Sequence, residues 1–474
     1  MTEMETKTYI DELMEKARAA QAIYSDHPTQ ERYDKAARAC AKTVYDNAKE
    51  LAEEAVAETK MGSVEGKIAK MQMSMTAQWH WTKQQKSTGV LGWKKGKLDV
   101  DCILEIAKPA GVICAVMPST NPTANIGANT MQALKGGNAC IICPHPSAKN
   151  VSLHCTEMIR KALKEVGVPE DLVQCVEEPS IIATQTCMTA SDLVVATGGP
   201  GIVDAANRSG TPNYGVGQGN CQVIVDRGMN DQFDFIAEGS ITCRSWDSGI
   251  PCTSDQTVIV PEEDKEEIMA AYDRHGAVVI TDKAKVDKMR EILFTKNEKT
   301  GEYAMNRAYV GKPIKEIGEA IGVDVPDGKR TFLVAIDKYG KDELLCKEKL
   351  TVVTNIITYK EGWEEAVHIA KTNLLMEGAG HSTDIYTKDK DHELYAGLEI
   401  PVCRLIINNN NLACSGEPYH SNGLISTHGL GGGFFQKNIT SEHVNFSHML
   451  NITRMVYTVP YDKEELTPEE IWAE

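Results

Sequence analysis

The sequence lacks any uninterrupted apolar run of the ~18 residues that a membrane-spanning helix needs, so no span is expected. It also lacks blocks of basic residues, and its formal charge is -17. That balance argues against nucleic acid and anionic membrane as main partners, because both are bound through clustered cations. The acidity names no substrate, and an anionic one would need a local basic pocket. The first residues, MTEMETKTYIDELMEKARAAQ, lack the apolar stretch of a secretory signal, and a cytoplasmic chain is expected. There is no P-loop, no G-x-S-x-G elbow and no H-E-x-x-H pair. Nothing repeats at 20–50 residues, and no low-complexity linker interrupts the chain. Cys140 and Cys143 form a C-x-x-C without the second pair that a zinc site requires. His420, His428, His443 and His448 lack metal-ligand spacing, and no metal is expected.

What is present is a chain of 474 residues with 42% apolar and 25% charged content, the composition of a globular protein with two or three domains. Fourteen cysteines are scattered through apolar runs and read as reduced core thiols. Residues 6 to about 60 read as helices. AKMQMSMTAQWHWTK (69–83) reads as a packed helix face, in which His80 packs rather than binds metal. From about residue 103, short apolar runs alternate with helical stretches: GVICAVM (111–117), ACIIC (139–143), LVVATG (193–198) and CQVIV (221–225). Such runs predict buried parallel strands in βαβ units, with a ligand at their carboxyl ends. A second series, TVIVP (257–261), AVVIT (277–281), TFLVAI (331–336) and LTVVTNIITY (350–359), predicts a second α/β unit. NITRMVYTVPYDKEE (451–465) reads as a strand followed by an acidic tail.

Four segments can carry chemistry. SWDSGIPCTSDQTVIVP (245–261) presents Cys252 in a loop of small residues just before a strand, where a nucleophilic thiol has access. By itself this also fits a packing cysteine. MPSTNPT (117–123) puts Asn121 at a strand end, as an oxyanion donor or as a turn and helix cap. ATGGPGIVDAANRSG (196–210) runs a strand through glycines into a helix, a phosphate-binding arrangement without a full G-x-G-x-x-G. YGVGQGN (214–220) allows close backbone approach or a ligand-free strained loop.

Together with NACIICPHPSAK, EKLTVV and GAGHSTDIYT, these segments resemble, in order and over essentially the whole chain, the CoA-acylating aldehyde dehydrogenases. The likeness is most evident to the acetaldehyde dehydrogenase half of bifunctional aldehyde–alcohol dehydrogenases. No iron-dependent alcohol dehydrogenase half follows in 474 residues. The resemblance implies an α/β fold with a Rossmann-type cofactor domain (1–226, with an excursion near 84–102 to an oligomerisation arm). It also implies a catalytic domain carrying Cys252 (227–435) and a C-terminal oligomerisation segment (436–474). It implies that Cys252 attacks the aldehyde and that Asn121, with the Cys252 N–H, holds the oxyanion. Ser119, His145, Thr197, Gly198, Gly199 and Glu348 match cofactor-binding positions, for NAD or NADP, with coenzyme A as co-substrate. Arg244 and His381 are candidates for contact with the aldehyde, which can be anionic, such as sulfoacetaldehyde. A homodimer or higher homo-oligomer is implied.

Hydrolytic aldehyde dehydrogenases carry a water-activating glutamate in the segment matching YGVGQGN. Here Val216 falls at that position, and no Asp or Glu lies between Tyr214 and Gln222. A thiol acceptor is therefore expected rather than water. The alternatives are a hydrolytic enzyme releasing a free acid and a non-catalytic structural relative. The stretch 408–436, with His420 and His428, matches the family poorly and is expected to shape the aldehyde or CoA pocket.

Overall fold

The chain was analysed as a computed structural model that describes residues 1–298, 301–459 and 466–473. The acidic stretch 461–465 lies outside the described residues.

Four helices come first: α1 (Glu3–Ser25), α2 (Gln30–Asp46), α3 (Ala48–Thr59) and α4 (Val64–Thr82). Thr2 starts α1 with a reciprocal cap, taking the Glu5 N–H while the Glu5 carboxylate takes its own N–H. The buried stripe of α2 is mostly small (Ala36, Ala37, Cys40, Ala41), so the helix lies close against its neighbours. Then β1 (Gly89–Lys94) and β2 (Ile103–Pro109) form an antiparallel ribbon. β3 (Val112–Val116), buried along its whole length, leads into α5 (Pro122–Lys135).

The first apolar series builds one parallel sheet from β3, β4 (Ala139–Cys143), β5 (Val173–Cys175), β6 (Leu193–Thr197) and β7 (Asn213–Val216). Its order is β5-β4-β3-β6-β7. The chain winds outward from β3 on one side and then returns to the other side at β6. A crevice therefore opens between the carboxyl ends of β3 and β6, where α/β sheets bind ligands.

β8 (Cys221–Val225) departs from the sequence reading, which grouped it with that first series. It pairs instead with β9 (Asp255–Pro261) and with Gly380–Tyr386 in a seven-stranded parallel sheet. The order there is Ala277–Ile280, Thr331–Ala335, Val353–Tyr359, β9, β8, Gly380–Tyr386, Val402–Ile407. Val353–Tyr359 starts later than the apolar run from 350 suggests, because residues 350–352 turn around the site described below. The strands from Gly380 and Val402 were not anticipated, since His381, Ser382, Asp384 and Arg404 interrupt the apolar pattern.

The ribbon β1–β2 is completed by the distant strand Leu450–Val456, antiparallel to β2, which leaves a largely exposed three-stranded sheet. No helix among the described residues is long and apolar enough to cross a membrane. His80 stacks on Tyr419 with ring centroids 4.3 Å apart.

Candidate active site

The centre of the site is the loop between the helix Phe233–Ser245 and β9. Asp247 (φ 44°), Ser248 (φ 56°) and Gly249 (φ 76°) are consecutively left-handed. For the two non-glycine residues this costs of order 1–2 kcal/mol each, and the surroundings must supply it. They do so through the Asp247 carboxylate. It is fully buried and accepts from the Ser63 N–H (2.9 Å), Lys67 Nζ (3.2 Å) and Lys70 Nζ (2.6 Å). At Gly249 a Cβ would lie 2.4 Å from the Thr351 carbonyl, so no side chain fits. The chain then delivers Cys252, half-buried, while Cys221 and Cys243 on either side are fully buried.

Two backbones meet at the nucleophile. A Cβ on Gly219 would sit 2.0 Å from the Cys252 carbonyl oxygen, so the YGVGQGN loop packs main chain to main chain against it. That loop is pinned by Glu348, which accepts from the Gly219 N–H (3.1 Å) and from Gln218 Nε2 (3.2 Å). Burial, reinforced by Glu377, pushes the Glu348 carboxyl up to about 8. The loop brings no carboxylate of its own, and Val216 is buried at the end of β7. Glu348, the carboxyl that pins the loop, is thus largely protonated at neutral pH.

His381, in the strand Gly380–Tyr386, points Nε2 at Cys252 Sγ, 3.2 Å away. Its Nδ1 lies 2.7 Å from Ser382 Oγ, which Asn411 also contacts. Burial, with Arg404 and His443 adding to it, pushes the imidazole down to about 3. Burial, with the nearby Glu348 next in size, pushes the Cys252 thiol up to about 12, while its own backbone N–H opposes the shift. The resting pair is therefore thiol and neutral imidazole, with Sγ–H donating to Nε2 when Nδ1 carries the ring hydrogen. Sequence reasoning proposed His381 only as a contact for the aldehyde. Its place beside the nucleophile could be approached from sequence only through the GAGHSTDIYT motif.

Asn121 precedes α5 without capping it: its side chain makes no cap hydrogen bond, and Nδ2 instead donates to Asn125 Oδ1 (2.8 Å). The preceding carbonyl, Thr120, accepts from Lys67 Nζ (3.1 Å). Lys67 therefore ties the Asn121 turn and the Cys252 loop together through Asp247.

Ser119, His145 and Thr197–Gly199 follow β3, β4 and β6, and so share the carboxyl edge of the five-stranded sheet. Gly199 caps the helix Pro200–Arg208 without a side-chain partner, and a Cβ there would meet nothing within 4 Å. Its open face at the start of the helix, where Pro200 brings no N–H and Ile202 and Val203 donate to the Gly199 carbonyl, leaves room for a phosphate beside the helix N-terminus. His145 Nδ1 accepts from the Ser147 N–H (3.1 Å), and burial lowers its pKa, with Arg307 adding to the effect. These residues fit a dinucleotide.

Arg244 is not brought to this surface. It is fully buried behind the loop and donates to the Lys349 carbonyl. That contact braces the turn carrying Glu348, and the guanidinium offers no exposed face to a substrate.

Comparison with known proteins follows this geometry. The profile of the aldehyde dehydrogenase family matches residues 2–310. A succinate-semialdehyde dehydrogenase (acetylating) from Clostridium kluyveri is 39% identical over 99% of this chain and 100% of its own. A sulfoacetaldehyde dehydrogenase (acylating) from Bilophila wadsworthia is 33% identical over 98% of both chains. Among solved structures, an acetylating aldehyde dehydrogenase from Geobacillus thermoglucosidasius superposes with a TM-score of 0.90. It is 28% identical, over 98% of this chain and 100% of its own.

Proposed function

Because the chain belongs to the aldehyde dehydrogenase family, we propose that Cys252 and His381 carry its chemistry through a thioester on Cys252. The enzyme is a CoA-acylating aldehyde dehydrogenase: aldehyde, CoA and NAD(P)+ give acyl-CoA, NAD(P)H and a proton, reversibly. The observation that carries this reading is the 3.2 Å approach of His381 Nε2 to the Cys252 sulfur beside a largely protonated Glu348.

The cysteine must lose its proton to attack the aldehyde carbon. His381 is the acceptor in reach. Moving the proton creates both charges together, 3.2 Å apart. Their attraction, about 5 kcal/mol at an effective dielectric of ~20, offsets part of the cost of ionising two buried groups. When bound, the oxidised nicotinamide supplies a positive charge and a two-electron acceptor at this site. Ser119, His145, Thr197, Gly198, Gly199 and Glu348 are the residues that would hold the dinucleotide. As the aldehyde oxygen gains charge, the Cys252 N–H and the Asn121 carboxamide, turned away from Asn125 Oδ1, would donate to it. Once the acyl group is a thioester, His381 releases the Cys252 proton to solvent. Neutral again, it takes the proton of the incoming CoA thiol, whose sulfur displaces Cys252, and returns that proton to the departing Cys252 thiolate.

The substrate is a short aldehyde. We favour one ending in an anion, such as succinate semialdehyde or sulfoacetaldehyde, because these are named for two relatives aligned over nearly the whole chain. We place the enzyme in the cytoplasm as a homo-oligomer joined through the exposed three-stranded sheet. The direct test follows nicotinamide absorbance with an aldehyde, with and without CoA, and identifies the product by mass. Sustained CoA-dependent reduction with acyl-CoA formation is expected. Rapid CoA-independent release of free acid would favour the hydrolytic alternative.

A further inference from the structure

One face of α4 is unusual for a buried helix. Lys67, Lys70, Ser74 and Gln78 follow one another at spacings of three and four and are all at least nine-tenths buried. An interior helix face normally presents apolar groups. The stripe begins at the catalytic centre, where Lys67 holds the Thr120 carbonyl and both lysines hold Asp247. It then runs away from that centre for roughly three turns, about 16 Å at 1.5 Å per residue.

The 408–436 segment covers the stripe. Asn411 Nδ2 donates to the Thr253 carbonyl (3.0 Å), which fastens the segment to the Cys252 loop. Farther out, His428 Nε2 lies 2.8 Å from Ser74 Oγ, and Ser74 Oγ accepts from Gln78 Nε2 (2.8 Å). Glu417, buried, faces Ser74, Gln78 and Lys70 from the same segment, with Oε1 3.8 Å from His428 Nε2. Glu417 Oε1, His428 Nδ1 and Gln78 Oε1 have no partner. Leaving a buried polar atom unpaired costs about 1–3 kcal/mol, so an apolar substrate tail is a poor occupant.

The charges indicate which polar occupant fits. Lys67 and Lys70 face Asp247 and Glu417. Asp247 is fully engaged by fixed donors, whereas Glu417 is held by neutral groups and by the more distant charge of Lys70. With Glu417 protonated, the cluster carries one uncompensated positive charge. Burial pushes that carboxyl up to about 7, so protonation is within reach at neutral pH. His428, pushed down to about 3 by burial, with Lys70 adding to the effect, stays a neutral ring able to donate.

We propose that Lys70, Ser74, Glu417 and His428 form a specificity subsite that holds the far end of the aldehyde and selects a short chain ending in a carboxylate or sulfonate. The inference rests on the CoA-acylating reaction assigned to Cys252. The anion takes hydrogen bonds from Lys70 and from whichever of Ser74 and His428 is not donating to the other, and Glu417 takes up a proton to admit it.

The test compares kcat/KM for butanal, succinate semialdehyde and sulfoacetaldehyde with CoA in the wild-type enzyme, Ser74→Ala, His428→Gln and Glu417→Gln. At least a tenfold preference for one anionic aldehyde over butanal is expected, and the two anions distinguish a carboxylate site from a sulfonate site. Ser74→Ala and His428→Gln should each reduce that preference about tenfold. KM for the preferred anion should rise between pH 6 and 8.5 as Glu417 ionises, and Glu417→Gln should flatten that rise. The groups facing Glu417 are Lys70, Ser74 and Gln78 from α4 and His428 from its own segment. Lys67, beside Lys70 and lowered by burial to about 8, also titrates in that window, so the part of the rise that Glu417→Gln removes is the part that belongs to Glu417. Preference for butanal in the wild-type enzyme, or an unchanged preference in both variants, overturns the subsite. Butanoyl-CoA formed without anion preference defeats this inference alone. Failure of every aldehyde to give CoA-dependent reduction defeats the reaction on which it rests.

Discussion

At the scale of single residues, the site is defined by what burial does to three ionisable groups. Cys252 is held as a thiol, His381 as a neutral ring and Glu348 largely as an acid. Alkylation of Cys252 in the free enzyme should therefore keep accelerating from pH 6 to 10. A plateau near neutral pH in an iodoacetamide time course would mean a preformed thiolate. Cys252→Ala should abolish both reduction of the nicotinamide and thioester formation while cofactor binding persists; normal turnover would remove Cys252 from the mechanism. Glu348 is raised, so it gains charge as pH rises through about 8. If its carboxylate orients the nicotinamide ribose, cofactor KM should fall through that range. Glu348→Gln should weaken cofactor use several-fold and erase the pH response, and unchanged kinetics at limiting cofactor would remove the assignment. Cys252 and Asn121 could be singled out as candidates from sequence because each sits in a short contiguous motif. The Cys252–His381 pairing could not be, because Cys252 lies in the loop before β9 and His381 lies in the strand Gly380–Tyr386, and the seven-stranded sheet brings them together. Arg244 shows the opposite failure. Its nearness to Cys252 in sequence suggested contact with a substrate, yet the intervening left-handed turn buries it behind the loop.

At the scale of elements, the apolar runs revealed the buried parallel strands because such strands need little beyond continuous hydrophobicity. The strands from Gly380 and Val402 were hidden because the site spends their polar positions on His381, Ser382 and Arg404. β8 was assigned to the wrong series because a strand's partners are not written in its own residues. The left-handed turn at 247–249 is the element on which the geometry most depends, and its one carboxylate is shared by two lysines of α4. Asp247→Asn should leave Lys67 and Lys70 buried without a counter-charge. A loss of about 3 kcal/mol is expected in denaturant unfolding. Because Lys67 also holds the Thr120 carbonyl beside Asn121, kcat should fall more than KM rises. A variant as stable and as active as the parent would show that the turn holds itself. The three-stranded sheet of β1, β2 and Leu450–Val456 exposes Val90, Trp93, Met455 and Val456, a cluster that soluble monomers rarely leave open. Removing residues 450–474 should lower the mass measured by light scattering to that of one chain; an unchanged assembly would place the interface elsewhere.

At the scale of the whole molecule, Cys252 lies beside His381 and the Glu348-pinned YGVGQGN loop, and the ionisation of these groups bears on the fate of the acyl group. Once the aldehyde is oxidised, the acyl group is a thioester on Cys252. Water attacks a thioester slowly unless a base takes its proton, help typically worth ~10²–10⁴-fold. The loop beside the thioester offers only Glu348, which is largely protonated at neutral pH, and a neutral imidazole whose low pKa makes it a weak base toward water. A thiol with an ordinary pKa near ~8.5 gives up its proton far more readily than water does. The thioester should therefore wait for CoA. Without CoA, a stopped-flow trace at pH 7 is expected to show a burst of about one reduced nicotinamide per active site followed by a slow phase. Adding CoA should restore turnover and yield acyl-CoA detectable by mass. The slow phase should quicken above pH 8, as Glu348 ionises and becomes able to accept a proton from water, and Glu348→Gln should suppress that quickening. Steady CoA-independent turnover at neutral pH, with free acid as product, would overturn this partition and return the site to the hydrolytic reading.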